Sequence, residues 1–146
     1  MNENVEAFFY GLYMDIDLLK SLGFRPGETR KAVLESYALD LFGSAKVVPM
    51  EGSYVWGNII NLPREDLTAM YSFESTKEYV PETLQVKDSK GNYKQVSCYN
   101  LAKSDSESFN KEYHGKLLKI IERLEFPEEY IQNMKAMGRR NGALPG

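Results

Sequence analysis

"YVWGNII", residues 54–60, reads as a β-strand with a deliberate weak point. Its β-branched and aromatic residues favour an extended, half-buried backbone. Gly57 sits in the middle, where a glycine weakens a strand unless the chain bends sharply or another backbone comes close. The combination predicts a strongly coiled sheet that closes towards a small barrel. The flanking segments supply the other strands. From Arg30 to Leu41 apolar and polar residues alternate, apart from a one-residue slip at Glu35-Ser36 that predicts a bulge or bend. Lys46-Val47-Val48-Pro49 forms a second strand piece and leads through Gly52-Ser53 into the quoted stretch.

Towards the N-terminus, Ala7-Phe8-Phe9-Tyr10 is a short apolar run broken by Gly11, and Asp15 then opens a helical spacing at Ile16, Leu18, Leu19 and Leu22. This predicts strand, tight turn, helix, with Gly23 at the helix end and Pro26 forbidding continuation. Towards the C-terminus, Pro63-Arg64-Glu65-Asp66 has the form of a helix start. Tyr79 to Val86 reads as a strand entering a hairpin at Asp88-Ser89-Lys90-Gly91, with Pro81 marking an edge or a bulge, and Tyr93 to Leu101 follows. Ser104-Asp105-Ser106-Glu107 has capping-box form before the stripe Phe109, Tyr113, Leu117, Ile120, Ile121 and Leu124. Pro127 begins another helix with Tyr130, Ile131 and Met134 inward, and Gly138 is expected to end it. The predicted class is α+β: a small, strongly twisted mixed β-barrel flanked by helices. No linker or repeat divides the chain, so residues 1–146 form one domain, with a core from about 5 to 137 and a loose tail at 138–146.

Composition narrows function. At 146 residues the chain can bury a real core. A net charge of −3, with no cationic cluster beyond Arg139-Arg140, argues against a nucleic-acid partner. The acidic, polar N-terminus and the lack of an apolar run near ~20 residues point to a soluble cytoplasmic protein without a membrane partner. Cys98 and His114 are the sole residues of their types, which excludes disulfide frameworks and Cys/His metal clusters by counting. A Cys98–His114 dyad would join a strand-like run to a helix-like run, and a packed thiol with a helix-surface imidazole is the simpler reading.

One position stands out in "YSFESTKEYVPETLQV", residues 71–86. Leu67, Met70 and Tyr71 stand at i, i+3 and i+4 of the predicted helix, and i+7 is Glu74. Helical register therefore aims this carboxylate at the core side. The competing reading is a frayed helix and a solvated glutamate, since glutamate is rarely fully buried. A second signal comes from "FFYGLYMD", residues 8–15, where a glycine turn between strand and helix offers backbone N–H groups to an anion. A mere turn is the bland alternative.

Taken in order, Tyr10-Gly11-Leu12-Tyr13-Met14, the run Ala45 to Pro49 with Val55-Trp56-Gly57, Phe73-Glu74-Ser75 with Tyr79, and "LEFPEEYIQNM" resemble the γ-glutamylcyclotransferase-like superfamily, including its AIG2-like and γ-glutamylamine cyclotransferase-like members. The resemblance covers about Phe8 to Met137. It implies a twisted barrel in which the Tyr-Gly loop and the glutamate line one cavity. It implies, too, intramolecular aminolysis of a γ-glutamyl amide to 5-oxoproline plus a free amine or amino acid, with no cofactor and no metal. Glu74 then corresponds to the general base, and partial burial would make it a stronger one. Tyr10, Gly11, Leu12, Tyr13 and Tyr79 correspond to substrate-binding positions, with the Gly11 to Tyr13 backbone as donors to the oxyanion or the α-carboxylate. The family's Ser or Thr after the glycine is Leu12 here, and the bulky Tyr13 follows, which puts substrate identity and activity in question. Asp66, Glu78 and Glu82 are weaker candidates for the base. The rival functions are a catalytically silent binding module for a small carboxylate and an interaction protein using its C-terminal helices. The oligomeric state is left open.

Overall fold

The structure is a computed structural model that describes residues 3–101 and 106–145. Five strands, β1 (Asn4–Phe9), β2 (Thr29–Asp40), β3 (Lys46–Pro63), β4 (Val80–Asp88) and β5 (Tyr93–Asn100), close a barrel in the order β1-β3-β2-β4-β5. Neighbours are antiparallel except β1 and β5, whose parallel pairing at Ala7 and Ser97 makes the barrel mixed. Among the described residues four helices flank it: α1 (Ile16–Ser21), α2 (Arg64–Met70), α3 (Lys111–Arg123) and α4 (Glu128–Arg140).

The two strand pieces expected between residues 46 and 60 are one long strand. It pairs with β2 from Thr29–Ile60 to Asp40–Lys46, and the register shifts between Glu35 and Tyr37 where the slip was read. Glu35 faces Tyr54 and Tyr37 faces Pro49, so Met50 to Ser53 stand opposite Ser36 alone, whose φ is 65°. This is how β2 and β3 bend together into a barrel wall. Gly57 meets its expectation of close approach: a Cβ there would collide with the Phe9 carbonyl and the Phe8 ring. Pro81 lies where β4 is paired on one side, since β4 pairs with β2 only at Lys87 and Asp88.

Asp15 caps α1 through its carboxylate, which accepts from the amides of Asp17 (3.1 Å) and Leu18 (3.4 Å). Beyond the helix, Arg25 ties this region to α2. The buried Asp66 carboxylate accepts from the Arg25 backbone N–H (2.9 Å) and guanidinium (2.7 Å), which hold it below the usual carboxylate range. A carboxylate whose folded pKa is depressed contributes stability above its unfolded value near ~4, and that contribution is lost as pH falls through the lower folded value. Asp66→Asn should therefore cost about 1 kcal/mol at pH 7, after allowing for screening at the exposed Arg25. The gap from the parent should shrink below pH ~4, as read by urea midpoints at pH 7 and pH 3.

The C-terminal half corrects four expectations. Of the expected capping box, Ser104 and Asp105 lie outside the described residues, and the helix starts later. Its cap is Asn110, whose side-chain oxygen accepts from the Tyr113 amide at 3.0 Å. The preceding segment is held extended, with Phe109 bridged to Phe42 and the Asn110 amide bonded to the Leu41 carbonyl at 2.9 Å. Gly138 does not end α4, which runs on to Arg140. Instead it makes room for the buried His114 ring of α3: a Cβ would stand 2.5 Å from Cε1. His114 Nε2 bonds the Met134 carbonyl at 2.8 Å, so the lone histidine clamps α3 to α4 and does not lie on a helix surface. Nor are residues 138–145 loose, because the Ala143 and Leu144 amides return to the Gly138 carbonyl at 2.7 and 3.2 Å and Leu144 packs against the core.

Candidate functional site

Where β1 leaves the barrel wall, a single 3-10 turn at Leu12–Met14 carries the chain into α1, and beside it opens a cavity of about 350 Å³. Tyr10, Gly11, Leu12, Tyr13 and Tyr79 all line it, so the structure brings these five expected binding positions together. The lining also holds Tyr71, Ser75 and Thr76 from the segment after α2, and Tyr113 from α3.

Gly11 has an ordinary extended φ of −122°, so backbone freedom is not why a glycine stands there. The space its Cβ would need is taken by the Tyr113 hydroxyl, which accepts from the Leu12 N–H at 3.1 Å. One expected donor, the Leu12 amide, is thus already engaged. The amides of Gly11 and Tyr13 make no hydrogen bond among the described residues. Leu12 brings no hydroxyl, but the Tyr113 hydroxyl stands on its amide, and that phenol has its own proton to give.

Three of the remaining phenols, those of Tyr10, Tyr13 and Tyr79, are fixed by carbonyl oxygens. Tyr10 donates to the Tyr99 carbonyl (3.3 Å) and Asn100 Oδ1 (3.2 Å), Tyr13 to the Met70 carbonyl (2.9 Å), and Tyr79 to the Ala45 carbonyl. Tyr71 stacks on Tyr99 with ring centroids 4.0 Å apart. Burial pushes the Tyr113 phenol up to about 12 and those of Tyr10 and Tyr71 well above their usual value, so these rings are neutral donors at pH 7.

Glu74 is elsewhere. Its side chain is 89% exposed, and its carboxylate pairs with Lys77 at 3.0 Å. The inward orientation expected from helical register is corrected, and the cause is local. Register lasts only as long as the helix, and α2 stops at Met70. The Met70 carbonyl, which a continuing helix would offer to the Glu74 amide, accepts from the hydroxyls of Thr76 (3.0 Å) and Tyr13 (2.9 Å). The chain then turns on the Phe73 carbonyl, which accepts from the amides of Thr76 (3.0 Å) and Lys77 (2.9 Å), leaving Glu74 at the tip. Its neighbours Ser75 and Thr76 form cavity wall while Glu74 itself faces water. Of the weaker candidates, Asp66 is held by Arg25, and the exposed Glu82 accepts from Asn100 at 3.1 Å. Glu78 is exposed and does not line the cavity.

The cavity residues that sequence reasoning missed are chiefly Tyr71, Tyr113, Ser75 and Thr76. Tyr71 and Tyr113 sat on apolar stripes, where an aromatic residue carries no mark separating core from cavity wall. Ser75 and Thr76 were hidden by the assumption that the helix continued.

A model of the AIG2-like family matches residues 54–134, more than half of the 146. The chain belongs to the AIG2-like family. Its fold is shared by solved structures of low sequence identity. A gamma-glutamyl cyclotransferase superposes with a TM-score of 0.78 at 19% identity, over 92% of this chain and 88% of that one. The protein loc79017 from Homo sapiens does so with 0.75 at 21%, over 92% and 88%. YkqA from Bacillus subtilis gives 0.75 at 20%, over 98% of this chain and 56% of its own length. The sequence matches no curated protein. This AIG2-like chain accordingly shares the closed mixed-barrel fold of that gamma-glutamyl cyclotransferase.

Thiol chemistry has no support in the geometry. Cys98 is fully buried, its thiol is pushed up to about 12 by desolvation, and the Nε2 of His114 is engaged by Met134. Cys98→Ala should leave any turnover within about threefold of the parent, at the cost of roughly 1–2 kcal/mol for the small cavity it creates. A loss beyond about tenfold in a folded variant would reinstate a thiol nucleophile.

Proposed function

We propose that the cavity binds the γ-glutamyl end of a small molecule and that the protein turns it over to 5-oxoproline and a free amine or amino acid, with Glu74 as the base. The single observation that carries this reading is the shared wall. The Gly11 to Tyr13 turn, with two amides that make no hydrogen bond among the described residues, lines the same cavity as the Ser75-Thr76 segment that directly follows Glu74. The amides of Gly11 and Tyr13 and the Tyr113 hydroxyl are the donors for the ligand's α-carboxylate and for the oxyanion that forms on its γ-carbonyl.

Ring closure joins the α-amine nitrogen to the γ-carbon and breaks the bond from that carbon to the leaving nitrogen. Both reacting groups belong to one molecule, so little approach entropy has to be supplied. What the protein must supply is a proton acceptor for the α-amine and a donor for the leaving nitrogen, and one carboxylate serves both in turn. For Glu74 to do this, the Phe73 to Lys77 turn must fold over the cavity mouth and exchange the Lys77 ammonium for the substrate amine. An exposed i,i+3 ion pair holds it back only weakly.

A second reading is binding without turnover. The outward Glu74 favours it, because no carboxylate lines the cavity among the described residues. Incubation with a panel of γ-glutamyl compounds, assayed for 5-oxoproline, separates the two. Product from any of them supports the enzyme, whereas tight binding of 5-oxoproline without any release supports the silent module. Absence of both would reject the γ-glutamyl ligand.

A further inference from the structure

Resting on that reading, the end of α2 says what keeps Glu74 away from the cavity and what would bring it in. Residues 71–79 contain neither glycine nor proline, so nothing in the local sequence forbids the helix from running on past Met70. One more turn would give the Met70 carbonyl the Glu74 amide as its partner. It would also set the Glu74 side chain on the same helix face as Tyr71, three residues before it, and Tyr71 lines the cavity. The Met70 carbonyl is instead taken by the hydroxyls of Tyr13 (2.9 Å) and Thr76 (3.0 Å), while the Glu74 amide makes no hydrogen bond among the described residues. Met70 is fully buried, so its carbonyl needs a partner in either arrangement. Two hydroxyls and one amide thus compete for one oxygen.

We infer that Tyr13 and Thr76 are positioning residues: their hydroxyls on the Met70 carbonyl hold Glu74 out of the cavity, and their release lets α2 extend by one turn and carry the carboxylate to the cavity wall. Thr76 belongs to the turn that carries Glu74, and Tyr13 to the turn that carries the anion donors, so one carbonyl links the two segments. Both residues line the cavity, and an entering carboxylate is a stronger acceptor than a neutral carbonyl. A bound γ-glutamyl ligand therefore draws the hydroxyls from Met70 and frees that oxygen for the Glu74 amide. The base arrives only when the cavity is occupied.

The test is the double variant Tyr13→Phe, Thr76→Val, which deletes both hydroxyls at nearly constant volume. The Tyr13 ring packs edge-on against Phe9 and Tyr71, so phenylalanine keeps its place there. By NMR on the isotope-labelled 146-residue chain, hydrogen exchange of the Glu74 amide should slow at least about tenfold relative to the parent, with helical Cα shifts reaching residue 74. The kcat for 5-oxoproline release from γ-glutamylalanine and γ-glutamylethylamide should rise at least about threefold, because more of the protein holds its base inward. Hydroxyls with a merely structural role would leave that amide unprotected and lower kcat. Parent-like exchange at Glu74, or a fall in kcat, overturns the inference. If the double variant does not fold, each single variant should show part of the slowing, and none in either overturns it. In the parent, saturating 5-oxoproline should slow the same exchange, and a ligand that shifts the Gly11 and Tyr13 amides while Glu74 stays fast overturns the release step. If 5-oxoproline does not bind, or exchange slows in the variant and neither compound yields product in either protein, the γ-glutamyl reading fails and the variants alone decide the hold on Met70.

Discussion

Glu74→Gln should fold as the parent does, bind γ-glutamyl ligands with unchanged affinity and lose ~10²-fold or more in kcat. The absence of a folding effect follows from position: the side chain is 89% exposed and its carboxylate pairs with the exposed Lys77. Glutamine keeps the shape and the hydrogen-bonding capacity while removing the basicity, so binding and turnover come apart only if the carboxylate moves a proton. Lys77→Met sharpens the test by removing the ion pair that holds Glu74 outward. In the enzyme reading it should leave kcat unchanged or raise it, and a fall of more than tenfold would mean that Lys77 and not Glu74 is the group that matters. Parent-like kcat in Glu74→Gln would dismiss the glutamate base altogether, and the search would pass to the cavity phenols. Those are poor bases at neutral pH, because burial keeps them protonated.

The misreading of Glu74 shows where sequence periodicity stops being informative. Leu67 and Met70 are buried as their spacing requires, so α2 itself was legible. What ends it is two hydroxyls, one of them on Tyr13 nearly sixty residues away, that take over the Met70 carbonyl. A contact made by tertiary folding leaves no periodic trace. The same holds for Tyr113, which fills the Cβ position of Gly11 from the far end of the chain. The Asp15 cap, the slip at Ser36 and the proline at the β4 edge were legible because each is a local backbone problem with a local solution. The presumed capping box failed because the segment before α3 pairs with Phe42, and a side-chain pattern does not reveal a competing strand partner. Gly138 was legible as a special position, but its reason lies in the His114 ring and not in helix termination.

Gly57→Val should cost ~3 kcal/mol or more, or prevent folding. The added Cβ would fall on the Phe9 carbonyl oxygen and within 2.7 Å of the Phe8 ring. A flexible surface side chain could step aside, but these atoms belong to a neighbouring strand and to a ring with 1% exposure. Relief requires β1 to move off β3, against the pairing that runs from Asn4–Pro63 to Phe9–Asn58. That displacement passes directly to Tyr10 and Gly11, so any folded remnant should lose ligand binding as well. Gly115→Ala is the control. It lies within α3 with nothing within 4 Å of its Cβ position, and alanine there should stabilise by up to about 1 kcal/mol through helix propensity. Urea unfolding of both variants decides the matter. Opposite signs follow if the close approach of β1 and β3 is what makes Gly57 a glycine. A parent-like midpoint for Gly57→Val would mean that the two strands can separate at little cost, and the barrel would then not be closed as tightly as its register implies.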